Sequence, residues 1–577
     1  MTVLLDLTLP RTLDGLEARF GDGSHRGARI EAWLFDNAAA RRAVEARLAT
    51  AGVQARIRSA YKPLVHFFLE EVGGPPQALR IALPSHAQAP PERFRLEAYP
   101  LAGMYPDAGL TFIAGEAELS YGVGLDGAAV VPVFAPNVLR PDPLGVPVLT
   151  PCGWLRHWDA AGTLMADGPL ETEYEAVFRT AMTAITTHPW PPGWPCFEVM
   201  AIAAVLPGIE RDLPYGDEVI STAEALHEDF YFSILDVMKA RAGLGPMDRT
   251  AQPGQIVPEI VTLDGPARLT ITLLPHSAAT RALRGPDDLA GADRPLTEAQ
   301  IHAAVEALGG GVRDIVSVQG RKLLARVFEG TGPAVLLSAG QHANETSGIV
   351  GALRAAVVLR AAGQAFGFIA CENPDGNALH HALRAANPRH MHHAARYSAL
   401  GDDVEAREAP PLHEKAARLA LIAETGARLH LNLHGYPSHE WTRPLSGYLP
   451  RGFELWTIPK GFFLILRHLP GHAAGAREFL EALTADLAED AELAAFNATQ
   501  LAAWAAHAGA VPFPVINGIP CNIGESARQT VPWQLITEYP DETIYGDAFR
   551  LAQRTQMRTA LKAVALLRDF PATAASG

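Results

Sequence analysis

The sequence predicts an α/β protein in which a mixed-sheet α/β/α domain follows a large α+β region. Three observations predict it. Past residue 296, apolar runs short enough for strands alternate with longer apolar-periodic stretches, as in a sheet sandwiched between helices. Before that point, strand-like runs and helices mix irregularly among dense Pro and Gly. A chain of 577 residues also exceeds what one ordinary core organises. Residues 1–290 are therefore read as the first region, which the Gly- and Pro-punctuated stretch 241–258 divides into two subdomains. Residues 291–577 form the second.

Taken in order, residues 38–51 read as a helix stopped by Gly52, and 64–72 and 80–83 as strands. The Pro and Gly density through 87–151 suggests a β-rich, loop-heavy stretch, and His188-Pro-Trp-Pro-Pro-Gly-Trp-Pro195 a rigid surface loop or boundary. A helix-like segment from Glu224 sets Glu224, His227 and Glu228 on neighbouring turns, which suits either a second metal or a solvated or interface helix. Strand alternation returns over 261–274, and 284–293 is loop-like. Thr297-Glu-Ala-Gln300 has capping-box spacing ahead of the periodic 301–308, so a helix starts there and the glycines 309–311 end it. Residues 334–338, 348–362, 366–371 and 428–434 then predict strand, helix, strand and strand. Two Ala-rich helices near 473–487 and 491–506 follow, and a long helix over 547–569 comes last.

Chemistry gathers where these strands end. Gly340 ends the 334–338 strand, and His342 and Glu345 fall in the turn before Thr346 and Ser347, which can cap the next helix. A His and a carboxylate three apart in such a turn can both reach one ion. The alternating His430-Leu-Asn-Leu-His-Gly-Tyr-Pro437 puts His430, Asn432 and His434 on one strand face. Trp533-Gln-Leu-Ile-Thr-Glu-Tyr-Pro540 is another strand, and the apolar or β-branched 535–537 before Glu538 argues against a merely solvated charge.

In this order, with Val316-Ser-Val-Gln-Gly-Arg-Lys-Leu323 upstream and Asn373-Pro-Asp-Gly376 after the run 366–371, these segments resemble the zinc carboxypeptidase family (carboxypeptidase A-like metallopeptidases). The resemblance covers roughly residues 296–570. It implies one zinc ion on His342, Glu345 and His434, with a position open to water, and Glu538 as general base. His434 is preferred to His430 because Gly435 and Pro437 place it at the strand's exit and because His-Gly matches the family. His430 is left to back a ligand or fill the core. The family carries arginines for the oxyanion and for the substrate's terminal carboxylate after the Asn-Pro-Asp-Gly turn. Here that window offers Arg384, Arg389 and Arg396. Arg384 and Arg389 are assigned to catalysis, Arg396 and Asn387 to substrate binding.

The sequence departs from the family in two places. The Asn-Arg pair that binds a C-terminal carboxylate in typical members is missing, and Asn387-Pro-Arg389 is a loose substitute. The stretch Asn517-Gly-Ile-Pro-Cys-Asn-Ile-Gly524 has no tyrosine where digestive members carry a mobile one. His390, His392 and His393 read equally as substrate contacts or surface histidines. His439-Glu-Trp-Thr-Arg443 reads as cleft lining or as a packed loop.

A net charge of −15 argues against nucleic acid and anionic membranes as partners, and no apolar segment is long enough to span a bilayer. Residues 1–6 lack a secretory pattern, and four scattered cysteines match neither a disulfide framework nor Cys-x-x-Cys spacing, so a cytoplasmic location is expected. The function expected is a zinc-dependent hydrolase of the metallocarboxypeptidase type, cleaving an amide bond in a peptide or peptide-like substrate. The missing carboxylate-binding pair opens an alternative, a deacylase of N-acyl amino acids or related small amides. A third possibility is a non-catalytic binding protein that keeps the fold. The oligomeric state stays open.

Overall fold

The computed structural model describes residues 1–277, 284–449 and 457–570. Nine strands form the sheet that carries the site: β1 (Gly311–Val312), β2 (Ala325–Phe328), β3 (Thr331–Ala339), β4 (Gln364–Ile369), β5 (Leu429–Tyr436), β6 (Phe463–His468), β7 (Val515–Ile516), β8 (Ile519–Glu525) and β9 (Trp533–Pro540). Their spatial order is β1-β2-β4-β3-β5-β9-β6-β8-β7. The four central strands β4, β3, β5 and β9 run parallel, while β2 and β6 pair antiparallel on either side. The sheet is therefore mixed, as expected.

Helices cover both faces. Ser347–Ala361 and Asp547–Leu566 pack on one face through Ile349, Leu353, Phe549 and Ala552, against Leu431 and Leu433 of β5 and Leu535 of β9. Lys415–Thr425 lies on the other face, with Leu421 and Ile422 against Leu336 and Ile369. Ahead of the sheet, Thr297 and Gln300 form the expected reciprocal cap on the helix Glu298–Leu308. Asn37 caps the helix Ala38–Thr50. The two Ala-rich helices run over Ala476–Leu487 and Ala491–Ala508.

The first 277 residues build a four-stranded sheet in which Val199–Leu206 lies between Gln255–Thr262 and Ala267–Leu274, with Thr2–Leu9 at the edge. The expected connection 241–258 thus ends inside a strand. Residues 87–151 hold five short strands and two short helices. Residues 64–72, expected as a strand, lie in the helix Pro63–Glu70 and the turn after it. A short continuous apolar run suits either state, and Pro63 in the first turn, where its missing N–H costs nothing, decides for helix.

Thr222–Arg241 is a 20-residue helix buried along most of its length, and it is an interface element. Asp229 accepts hydrogen bonds from the backbone N–H groups of Leu445 and Ser446, each at 2.8 Å. One apolar cluster joins this helix to Leu383, Leu445, Tyr448 and Trp504 from beyond residue 291. Among the described residues, no helix is long and apolar enough to cross a membrane.

Candidate metal centre and cleft

β3 stops at Ala339 because Gly340 takes φ +64°, and a Cβ there would sit 3.0 Å from Cys371 Cα. The turn that follows carries His342 and Glu345. Asp541 accepts from Ser347 N–H at 2.8 Å and Glu542 accepts from Asn344 Nδ2 at 2.8 Å, so both ends of the turn are tied to the chain just past β9. His434 stands at the exit of β5. Gly435 behind it is required by close approach, since a Cβ would meet Asp541 Oδ1 at 2.1 Å and Tyr539 O at 2.8 Å.

These constraints bring three ligand-type side chains together. His342 Nδ1 lies 2.8 Å from Glu345 Oε1, His434 Nδ1 lies 2.9 Å from Glu345 Oε2, and the two Nδ1 atoms are 3.1 Å apart. All three residues are buried. Two imidazole nitrogens facing each other and a carboxylate make a poor hydrogen-bond set, because the three groups converge on one point. Around an ion with ligand distances near 2.0–2.2 Å, tetrahedral donor atoms lie about 3.4 Å apart, so the donor set fits a metal ion. Among the described residues, this is the only group of His, Cys, Asp and Glu that could hold one. Glu224, His227 and Glu228 therefore belong to the interface rather than to a second metal.

The surroundings fix the charge of this set. Burial disfavours the charge on Glu345, but His342, Arg396 and His434 hold its carboxyl well below the usual range. Arg396 donates to Glu345 Oε1, and Gly435 N–H donates to Oε2 at 3.0 Å. Asp403 Oδ2 lies 3.5 Å from His342 Nε2, the nitrogen facing away from the centre. Burial opposes its charge too, yet His342, Arg249 and Arg396 hold the Asp403 carboxyl well down. A carboxylate behind a ligating imidazole orients the ring and raises its basicity.

Glu538 pairs in register with His434 across β5 and β9, so both project from one sheet face. Burial and the charge of Glu345 push the Glu538 carboxyl well above the ordinary range. The face they share floors a cavity of about 570 Å³. The register makes three rows: His434, Glu538 and Phe463; then Asn432, Ile536 and Ile465; then His430, Gln534 and Arg467. His430, below the cavity floor, has Nε2 2.8 Å from Ser338 Oγ, and that hydroxyl gives its one proton to Asn432 Oδ1, so the imidazole is the donor of the pair. Phe232 and Arg249 from the first 277 residues, with Arg396, His393 and Trp441, complete the walls. Trp441 stacks on Phe232 at 5.8 Å and 17°, so its loop both packs and lines the cavity.

A scan against protein-family models and a search of curated proteins found no match. Solved structures similar to the chain include a metallopeptidase candidate from Shewanella denitrificans OS217, at 18% identity and TM-score 0.31, over 47% of this chain and 89% of that one. A metallo-carboxypeptidase from Burkholderia cenocepacia is similar at 14% identity and TM-score 0.29, over 53% and 77%. A succinylglutamate desuccinylase/aspartoacylase from Rhodobacter sphaeroides is similar at 14% and 0.25, over 44% and 63%.

The other expected site residues divide. Arg396 reaches the cavity. Arg384 instead faces the Tyr545 ring at 5.8 Å, Arg389 donates to Asp217 O at 3.3 Å, and Asn387 donates to Ile260 O at 2.7 Å. None of those three lines the cavity. The helix Pro374–Ala386 points Arg384 at Tyr545, and Asn387 and Arg389, just past its end, meet the first region instead of the cavity. His390, His392 and His393 are all buried, His390 against Glu210 at 2.9 Å and His393 against Glu228 at 2.8 Å. They are not surface histidines. Asp403, Lys460 and Arg467 were absent from the sequence reading. Burial pushes Lys460, beside Glu538, down to about 7.

Proposed function

We propose that this chain is a zinc-dependent amide hydrolase of the metallocarboxypeptidase type, acting on a peptide or peptide-like substrate. One observation carries the reading: His342, Glu345 and His434 converge on a point beside Glu538, at the head of a cavity large enough for a short peptide end. Two imidazoles and one carboxylate are a zinc-type donor set that leaves a position open. When bound, the ion supplies a Lewis acid that acidifies water and polarises the substrate carbonyl.

The remaining work falls to the protein's own groups. Glu538 takes a proton from the attacking water on a carboxylate oxygen and returns it to the leaving nitrogen, and its raised pKa makes the carboxylate a stronger base for the first transfer. Arg396 holds Glu345 ionised through Nη1 and lines the cavity, where its guanidinium can meet negative charge growing on the carbonyl oxygen. Asp403 keeps His342 in the tautomer that points Nδ1 at the ion. Phe232, Trp441 and Phe463 exclude solvent around these groups. Arg384, Arg389 and Asn387 have no part in this scheme.

The second reading, a deacylase of N-acyl amino acids or related small amides, is favoured by one placement: Asn387 and Arg389 hold backbone carbonyls instead of facing a substrate carboxylate. Peptides with free and amidated C-termini separate the two. A carboxypeptidase loses the amidated substrate, and a deacylase cleaves N-acyl amino acids in preference to either peptide. Hydrolysis that survives Glu538→Gln unchanged, or a purified chain without bound metal, would overturn both.

A further inference from the structure

Five cationic side chains line the cavity against three acidic ones, in a chain whose acids outnumber its bases 63 to 48. Most of this charge is already matched. Arg396 pairs with Glu345, Arg249 lies 3.4 Å from Asp403, and Arg528 lies 3.7 Å from Glu408. Arg467 is different. It is half-buried in the third row of the cavity floor, and among the described residues no acidic side chain pairs with it. Burial alone acts on its charge, with no carboxylate to offset it.

Its guanidinium is nonetheless held in place. Nη1 donates to Asn522 Oδ1 at 2.9 Å and to Asn522 O at 3.4 Å on β8. Arg467 pairs in register with Gly524, and a Cβ at Gly524 would meet Nη1 at 3.2 Å and Cζ at 3.6 Å, so the planar group lies over the bare glycine. The contacts to Asn522 use Nη1 only, leaving the Nε and Nη2 donors of a five-donor fork for something else. An immobilised cation with free donors, on the floor of a hydrolytic cavity, is built to receive an anion.

We propose that Arg467 is a specificity-determining residue that binds a carboxylate on the substrate's side chain, so that the preferred substrate carries an acidic residue beside the scissile amide. The inference deepens the amide-hydrolase reading and rests on it for the position of that amide. Arg467 lies four residues along β6 from Phe463, in the row of Glu538, which is about 13 Å of strand. Its guanidinium leans back to Asn522, which pairs with Ile465, so the cation stands about two residues, ~7 Å, from the row of Glu538, within reach of a side-chain carboxylate lying over Ile465 and Ile536. The substrate's own backbone stays at the level of His434 and Glu538.

The test compares N-acetylglutamate with N-acetylglutamine, which match in shape and differ by the side-chain charge, in calorimetric titrations of the full-length protein. The same experiment follows cleavage of two peptides that differ only by a terminal Glu or Gln. The acidic ligand is expected to bind at least about tenfold more tightly, the low end of what a charge-assisted hydrogen bond contributes. Arg467→Met removes that ratio at nearly unchanged side-chain length. Gly524→Leu, which displaces the guanidinium from the neighbouring strand, does the same independently. Equal affinities in the wild type, or a preference that survives Arg467→Met, overturn the proposal. Discrimination in binding with neither peptide cleaved leaves Arg467's role standing and defeats the hydrolase reading. Cleavage of both peptides at equal rates with equal affinities does the reverse.

Discussion

Replacing Glu224 by Gln is expected to remove a pH-dependent part of this protein's stability. Glu224 starts the long interface helix, and both its carboxylate oxygens lie 2.9 Å from His439 Nε2, in the loop that carries Trp441 to the cavity. His439 is fully buried; burial works against its charge, but Glu224, and Glu218 behind it, push its pKa up to about 9. A folded-state pKa above the unfolded value near 6.5 means that the protonated form is the one the fold stabilises. The contribution is therefore complete below about pH 6.5 and is lost as pH rises through 9. A rise from 6.5 to about 9 corresponds to roughly 3 kcal/mol, the same order as breaking a buried ion pair. Chemical denaturation of wild type and Glu224→Gln at pH 6, 7.5 and 9 reads it, because the other titrating groups cancel in the difference. The gap should be about 3 kcal/mol at pH 6 and close to less than about 1 kcal/mol beyond pH 9. Curves that run parallel across that range would refute the assignment of His439 as a buried cation.

Glu538→Gln is expected to lower kcat by about 10²- to 10⁴-fold with metal content unchanged, measured by product release and elemental analysis on one preparation. Chelation should abolish hydrolysis and added zinc restore it, and His434→Ala should prevent stoichiometric loading. Asp403→Asn is expected to weaken metal affinity about 10- to 100-fold without removing a ligand, which chelator competition reads. Gly435→Ala places a methyl where Asp541 Oδ1 would be 2.1 Å away, so it should destabilise the fold by about 1–3 kcal/mol and loosen the metal, seen in denaturation midpoints and metal retention.

Local signals carried much of the reading. Period-two alternation in 428–434 put His430, Asn432 and His434 on one face, and β5 has them there. The capping box at Thr297 and the glycine stop after Ala339 are equally local, and both are present. What failed needed tertiary information. The run 64–72 is apolar without a clear period, and only its Pro63 start marks a helix. Within the arginine window, the helix Pro374–Ala386 directs Arg384 to Tyr545 and the turn after it leaves Arg389 on Asp217 O, while Arg396 returns to Glu345, and no local pattern tells the three apart. Asp403 had no sequence mark: it reaches His342 from a segment with no regular period. Arg467 does carry a local mark, since Phe463, Ile465 and Arg467 share one face of a strand by period-two spacing.

The alternation in β5 and β9 explains why the site was readable at all. Parallel strands at the centre of a sheet are covered on both faces and normally read as continuous apolar runs. β3 and β4 obey this, with Val335, Leu336 and Leu337 in one and Phe366, Phe368 and Ile369 in the other fully buried. β5 and β9 are as central but present His430, Asn432, His434, Gln534 and Glu538 on one face. Polar groups survive there only if each finds a partner or a solvated cavity, and the structure supplies both: Ser338 for His430, Gln341 for Asn432, and the cleft for Glu538. A sheet that gives up half of its central apolar face loses burial energy that packing alone would have kept. Polar alternation in a strand that topology places at the centre is therefore a physical mark of a cavity-facing surface, and it points to the side of the sheet that carries the candidate site.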